Sequence, residues 1–345
     1  MPEGNFHSFG ELANAFGCDE SKTNSKQVDE DLVTHLKKLR VDPGVFPILG
    51  PHHFVHQIDD QIRKEFESLG DLLYEKRVVH HWTNFPIRIR TRIQLLLKQL
   101  VDLPFEFVYP CVFVCHLDSM ELPILPPQFA FKGGVARKVL AQALGLNANT
   151  SQVRDMDVFY RGENPDPDDV KQVAMSFMQD DWLLAKRPNK IISKQPSLKG
   201  YLRTREFTIN QLLLEGNQIT SSIQSVCDLV AGVIRPTIHH LQSQKGKVEG
   251  IVAAKAVRFL VEGKNEGRVM RLDKMAISNH GINKFKIAVH LARALEHGEA
   301  VGAHYLEECH QRGLIKFPFD GSVDHAITQL RKNRRVLNLS FPRRD

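Results

Sequence analysis

A pair of glycines set directly behind a short apolar run, Phe129-Ala130-Phe131-Lys132-Gly133-Gly134, constrains this chain more than any other stretch. The apolar residues read as a buried strand. The spacing of Val135, Val139, Leu140 and Ala143 predicts a helix that starts at the glycines and stops at Gly145. Behind a polar loop, Asp155-Met156-Asp157-Val158-Phe159 alternates in polarity and predicts a second strand. Side chains two apart on a strand share a face, so Asp155 and Asp157 point together while Met156 and Val158 turn to the core. Two carboxylates with no basic residue between them repel each other unless cations sit there, which suits a two-metal phosphoryl-transfer site. Glycines let backbone N–H groups approach a phosphate, and the helix that follows turns its positive end to the same place. Gly-Gly or Asp-x-Asp alone is common in turns and solvated strand ends. The order strand, Gly-Gly, helix, loop, strand with Asp-x-Asp is much more specific.

On these residues the chain resembles the head domain of class II CCA-adding enzymes and bacterial poly(A) polymerases, within the polymerase-β-like nucleotidyltransferase superfamily. Gly133-Gly134-Val135-Ala136-Arg137 followed by Asp155-Met156-Asp157 carries the first match. Arg205-Glu206-Phe207-Thr208-Ile209-Asn210 is similar to the family's Arg-Arg-Asp-Phe-Thr-Ile-Asn. Asp228-Leu229-Val230-Ala231-Gly232-Val233-Ile234-Arg235 is similar to its Asp-Leu-x-x-Gly-x-Ile-Arg connector, and Lys255-Ala256-Val257-Arg258-Phe259 to the Arg-Ala-x-Arg-Phe of its neck helix. The resemblance covers Gln128 to about Phe259, well under half of the chain. It implies an α+β nucleotidyltransferase head with a mixed sheet and helices packed on one side. It also implies two Mg²⁺ ions on Asp155 and Asp157, and a nucleoside triphosphate, ATP by preference, held by Gly133, Gly134, Arg137, Arg205, Glu206 and Arg258. Three positions depart from the family pattern. Lys138 stands where the family has Asp, and Thr204-Arg205-Glu206 where it has Arg-Arg-Asp. The base-reading Glu-Asp-x-x-Arg falls on Val248-Glu249-Gly250-Ile251-Val252, which lacks the arginine. The implied metal pair is intact while base selection is expected to be relaxed.

A length of 345 residues with 42% hydrophobic content allows two or three domains with sizeable cores. A net charge of +6 fits a polyanionic partner such as RNA. Five scattered cysteines (Cys18, Cys111, Cys115, Cys227, Cys309) and the lack of any long apolar run read as a soluble, reduced, cytoplasmic chain with no membrane partner. Residues 1–26 are polar and aperiodic and are expected to be disordered. Residues 27–125 read as a mainly helical region of unknown role, with helices at Asp29–Leu39, about His53–Leu69 and about Arg88–Leu100. One or two strands are expected in Phe105–Cys115. The head is expected over 126–236. Within it Asp168 or Asp169 is expected to cap a helix running to about Lys186, and Ile191-Ile192 and Tyr201–Leu214 are expected as strands. A helical neck and body is expected over 237–345, with helices at Asn283–His297 and Ala300–Gln311. The basic tail Arg331-Lys332-Asn333-Arg334-Arg335 suits a solvated helix face and a phosphate contact equally. His52 and His56 would share a helix face; a polar surface explains them more simply than a metal.

The functional expectation is metal-dependent transfer of a nucleoside monophosphate from a triphosphate to an acceptor hydroxyl, an RNA 3′ end in the first instance. A protein or small-molecule acceptor is the first alternative. A non-catalytic nucleotide- or RNA-binding protein is the second, although a pure binder has no need for a like-charge pair.

Overall fold

The computed structural model describes residues 60–75, 87–100, 105–108, 112–117, 122, 124–146, 157–162, 164–175, 192–195, 197–278, 282–295 and 297–316. The expected disordered start, the first helix, all the histidines from His52 to His81, Cys18, Cys111 and the basic tail lie outside these residues. The described chain forms two compact units, one built from residues 60–246 and 268–274, the other from 247–267 and 275–316.

The first unit holds a seven-stranded sheet in the order β1-β2-β7-β6-β3-β4-β5. Its strands are β1 (Phe105–Val108), β2 (Val112–His116), β3 (Phe129–Lys132), β4 (Asp157–Arg161), β5 (Ile192–Gln195), β6 (Leu212–Glu215) and β7 (Gln218–Ser222). Every neighbouring pair is antiparallel except β4 and β5, so the sheet is mixed. The architecture is α+β. β1 and β2, from the stretch read as a separate N-terminal region, pair onto β7 and extend the same sheet.

Seven helices accompany the sheet among the described residues: α1 (Asp60–Glu75), α2 (Ile87–Leu100), α3 (Gly133–Ala143), α4 (Pro167–Met175), α5 (Leu198–Arg203), α6 (Ile223–Ala231) and α7 (Ile238–Ser243). Both faces of the sheet centre are buried. Register places Ala130 and Phe159 on one face, where they pack with Leu213 and with Tyr201 of α5. Phe131, Val158 and Leu214 share the other face and are also sealed from solvent. Asp157 stays exposed because β4 begins there, at the end of the sheet.

Tyr201–Leu214 is not one strand. Ser197 caps α5 by accepting from Gly200 N at 3.1 Å, Thr208–Asn210 is a 3₁₀ turn, and only Leu212–Glu215 pairs in the sheet. The two-residue alternation of Phe207 and Ile209 imitates a strand, whereas the turn buries both. Neither Asp168 nor Asp169 is the cap residue: both lie in the first turn of α4, and the Asp166 carboxylate accepts from Asp168 N at 2.7 Å. The second expected helix is described from Asp60 and runs on to Glu75. Its apolar stripe, Phe66, Leu69, Gly70 and Leu73, faces α6. Gly70 permits that approach, since a Cβ there would lie 3.1 Å from Asp228 Oδ1 and 3.3 Å from Cys227 Cβ.

After α6, Gly232 ends the helix at φ +69°, and a Cβ there would meet Val269 O at 1.8 Å. The chain continues into β8 (Val233–Ile234), which pairs in parallel with β10 (Arg271–Leu272). In the second unit β9 (Val248–Glu249) pairs with β11 (Ile277–Ser278). There α8 (Gly250–Asn265), α9 (Lys284–Leu295) and α10 (Glu299–Gln311) pack on one another, and Val257, Leu260, Ile287, Leu291, Tyr305 and Leu306 are buried. No helix among the described residues is long and apolar enough to cross a membrane.

Candidate active site

The glycine turn and the aspartate strand come together at one end of the sheet. Lys132 ends β3 and forms the N-cap of α3, giving no side-chain hydrogen bond to the first turn. Gly133 follows at φ +65°, in the left-handed region that L side chains avoid. A Cβ on Gly133 would lie 2.8 Å from Asp157 Oδ2, so the carboxylate rests against the glycine Cα. Around Gly134 a Cβ would find open space. An exposed carboxylate, a bare backbone turn and the N-terminal end of an eleven-residue helix thus share one corner of the molecule.

Register adds a cation. Lys132 stands directly opposite Asp157 in the antiparallel pair, and opposed residues point to the same face with Cβ atoms about 4.5–5.5 Å apart. Along the sequence no basic residue separates Asp155 from Asp157, but across the strands one does face Asp157. Asp155 lies outside the described residues, so the position of the carboxylate pair rests on Asp157 alone. Among the described residues no group of three His, Cys, Asp or Glu side chains could hold a metal ion.

Two arginines are held in place at the second motif. Arg137 donates to Asn210 Oδ1 at 2.6 Å, which joins α3 to the 3₁₀ turn across 73 positions of sequence. Arg205 lies over the Tyr201 ring at 4.4 Å and donates to Thr204 Oγ1 at 2.9 Å. Burial pushes the Tyr201 phenol well above its ordinary value; the Arg205 charge opposes this and the Asp157 charge adds to it, which places all three groups in one neighbourhood. Tyr201 is therefore a neutral donor, and its hydroxyl donates to Leu212 O at 3.1 Å. Glu206 is half-buried, and its backbone carbonyl accepts from Thr237 N at 2.9 Å. Thr237 Oγ1 donates to Arg205 O at 2.7 Å, so the second motif runs beside the end of the third.

Of the residues expected in the site, Gly133, Gly134, Asp157, Arg137 and Arg205 are placed in the sheet unit. Arg258 belongs to the helical unit, where it is 7% exposed and its Nη1 donates to both Glu262 oxygens, at 2.7 and 2.9 Å. Val252, in the place of the missing arginine, is buried in α8. The residue types of Tyr201, Asn210 and Lys132 do not by themselves mark them as part of the site. Asn210 closes a quoted motif, but nothing local tells that it holds Arg137.

The connector motif builds an ion cluster around a buried Arg235–Asp228 pair. Arg235, 2% exposed, reaches Asp228 Oδ1 at 2.9 Å, Asp71 Oδ1 at 2.7 Å and Asp273 Oδ2 at 3.7 Å, and lies 4.9 Å from the Tyr74 ring centroid. Asp228 accepts from Thr208 Oγ1 at 2.5 Å and from Gln224 Nε2 at 3.0 Å. Burial raises the Asp228 carboxyl to about 6 against the pull of Arg235 and these donors. The cluster ties α1, α6 and the segment after β8 together.

No protein-family model matches the chain, and no curated protein matches it. One solved structure, a tRNA-processing enzyme in an apo form, is similar over 60% of this chain at 16% identity and a TM-score of 0.37. The match spans 62% of that structure's own length.

Proposed function

We propose that the sheet unit binds a nucleoside triphosphate and transfers its nucleotidyl group to an acceptor hydroxyl, with an RNA 3′ end as the acceptor. The observation that carries this reading is the Asp157 carboxylate lying against the Gly133 backbone at the start of α3. A hard oxygen donor beside a bare turn fits Mg²⁺, which binds through one or two carboxylates together with substrate phosphates. Asp157 would hold it, with Asp155 as the second donor. When bound, the ion supplies charge neutralisation on the phosphates and acidifies the acceptor hydroxyl.

The chain's own groups do the rest. The first N–H groups of α3 face the phosphates, with Gly133 and Gly134 leaving the approach open. Arg137, fixed by Asn210, and Arg205, fixed over Tyr201, supply positive charge where the leaving group forms. The acceptor oxygen bonds to the α-phosphorus, the bond from that phosphorus to the β-bridging oxygen breaks, and pyrophosphate leaves while the hydroxyl proton passes to solvent.

Labelled triphosphate offered with RNA and with protein acceptors tests the proposal. Incorporation into RNA that depends on Mg²⁺ and is lost in Asp157→Asn is the expected result; incorporation into protein alone would move the acceptor. Competition among the four triphosphates should show relaxed base choice, and strict CTP-before-ATP addition would overturn that part. A second reading, nucleotide binding without transfer, is favoured by Lys132, because a cation opposite Asp157 offers the carboxylate a partner of the chain's own. Tight binding of triphosphate in the absence of Mg²⁺, with no incorporation, would select it.

A further inference from the structure

A basic surface adjoins the candidate active site at Arg205. In α5, Leu198 and Leu202 pack on the core cluster that contains Tyr201. That spacing leaves Lys199 and Arg203, at i and i+4, together on the exposed side of the helix. Like charges four apart on a helix repel, so α5 by itself gains nothing from the pair. Beyond α5 the chain runs antiparallel to the segment that leads into α7. Phe207 bridges Pro236, Thr237 N donates to Glu206 O at 2.9 Å, and Thr237 Oγ1 donates to Arg205 O at 2.7 Å. α7 therefore starts beside Arg205. Burial first, and then the charges of Arg203 and Lys199, lower the pKa of His239 in its first turn, in keeping with that geometry.

Six helical residues, about 9 Å of rise, lead from this junction to the turn that ends α7. There Gly246 N donates to Leu241 O at 2.7 Å, and Lys245 takes φ +52°. Glycine adopts that left-handed conformation freely, whereas the exposed lysine holds it under strain. Neither 198–205 nor 237–246 contains an Asp or Glu, and Glu206, which follows Arg205, is half-buried.

We propose that Lys199, Arg203 and Lys245 dock the phosphates of a single-stranded RNA along α5 and α7, with its 3′ end at Arg205. Charge complementarity selects a polyanion. Cations spread over two helices suit a flexible strand with one phosphate per nucleotide better than one compact anion. The surface is continuous with the candidate site through Arg205, which lies over the Tyr201 ring at 4.4 Å. Placing the 3′ end there rests on the proposed transferase reading; docking of the strand does not.

The test uses the full chain and a short labelled single-stranded RNA, titrated at several salt concentrations. Lys199→Ala, Arg203→Ala and Lys245→Gly each remove an exposed cation, and the last also relieves the backbone. Each should weaken RNA binding by about two- to fivefold and flatten the log–log salt slope by about 0.7. The double variant Lys199→Ala/Arg203→Ala should lose roughly tenfold. Triphosphate binding should keep its wild-type value in all of them. A wild-type chain that does not bind the RNA, or variants that keep its affinity and salt slope, would overturn the docking surface. A polyglutamate peptide that binds more tightly than RNA of equal charge, with the same dependence on the three residues, would assign the surface to an acidic protein and overturn the choice of RNA. Asp157→Asn should bind the RNA normally. RNA binding that depends on the three residues without any nucleotidyl transfer would keep the docking surface and remove the transferase reading, so the two failures are read separately.

Discussion

Asp157 and Asp228 each sit in the sheet unit with a cation at hand, and differ almost entirely in burial. Asp157 opens a strand at the end of the sheet, exposed, with Lys132 across from it and the Gly133 backbone against its oxygen. Asp228 lies inside α6 at 1% exposure, locked to Arg235, Thr208 and Gln224. The same carboxylate chemistry serves opposite ends. Water lets Asp157 exchange partners at low cost, so it can take a ligand. The interior commits Asp228 to its partners, because removing any one leaves an uncompensated buried group. A charge pattern therefore reveals little about function until burial is known.

The largest expected effect sets the two against each other. Arg235→Met should cost about 3–5 kcal/mol of folding stability by stranding Asp228, read as a fall in the urea midpoint. Asp157→Asn should change stability by less than about 1 kcal/mol, yet remove nucleotidyl transfer. A soft Arg235 or a destabilising Asp157 would collapse the distinction.

Acidity sharpens it next. Asp228 holds its proton up to about pH 6 when folded, against 3.8 when unfolded. Between those values the folded chain binds the additional proton, so this group's contribution falls as pH rises and favours folding at the acid end. The difference in stability between the wild type and Asp228→Asn should therefore shrink on going from about pH 4 to about pH 6, by on the order of 3 kcal/mol. A difference independent of pH would show that Asp228 is ionised throughout.

The smallest effect belongs to the exposed corner. Gly133→Ala places a Cβ at φ +65° and 2.8 Å from Asp157 Oδ2, which should cost about 1–2 kcal/mol and displace the carboxylate. Triphosphate binding, measured by calorimetry, should fall more than stability does. Gly134→Ala, with open space around it, should be milder on both counts.

Much of the site corner was legible locally. The apolar run before Gly133-Gly134, the helical spacing to Ala143 and the stop at Gly145 all describe what forms, because strand and helix periods are short-range properties. Tyr201–Leu214 shows a strand's alternation without being one strand, since buried Phe207 precedes and buried Ile209 lies within a 3₁₀ turn. Lys132 opposite Asp157 could not be seen, because register across β3 and β4 depends on how the long connection between them closes.

By itself the sequence determined the glycine turn, the helix that leaves it and the presence of carboxylates and arginines in recurring order. Only the tertiary structure decided which of those charges meet and which meet water. Arg137 finds Asn210 across 73 positions, and Arg235 finds Asp71 across 164. Such pairings are set by how sheet and helices pack. Burial, which separates an exposed carboxylate from one held to about 6, is a property of the whole unit and not of any window along the chain.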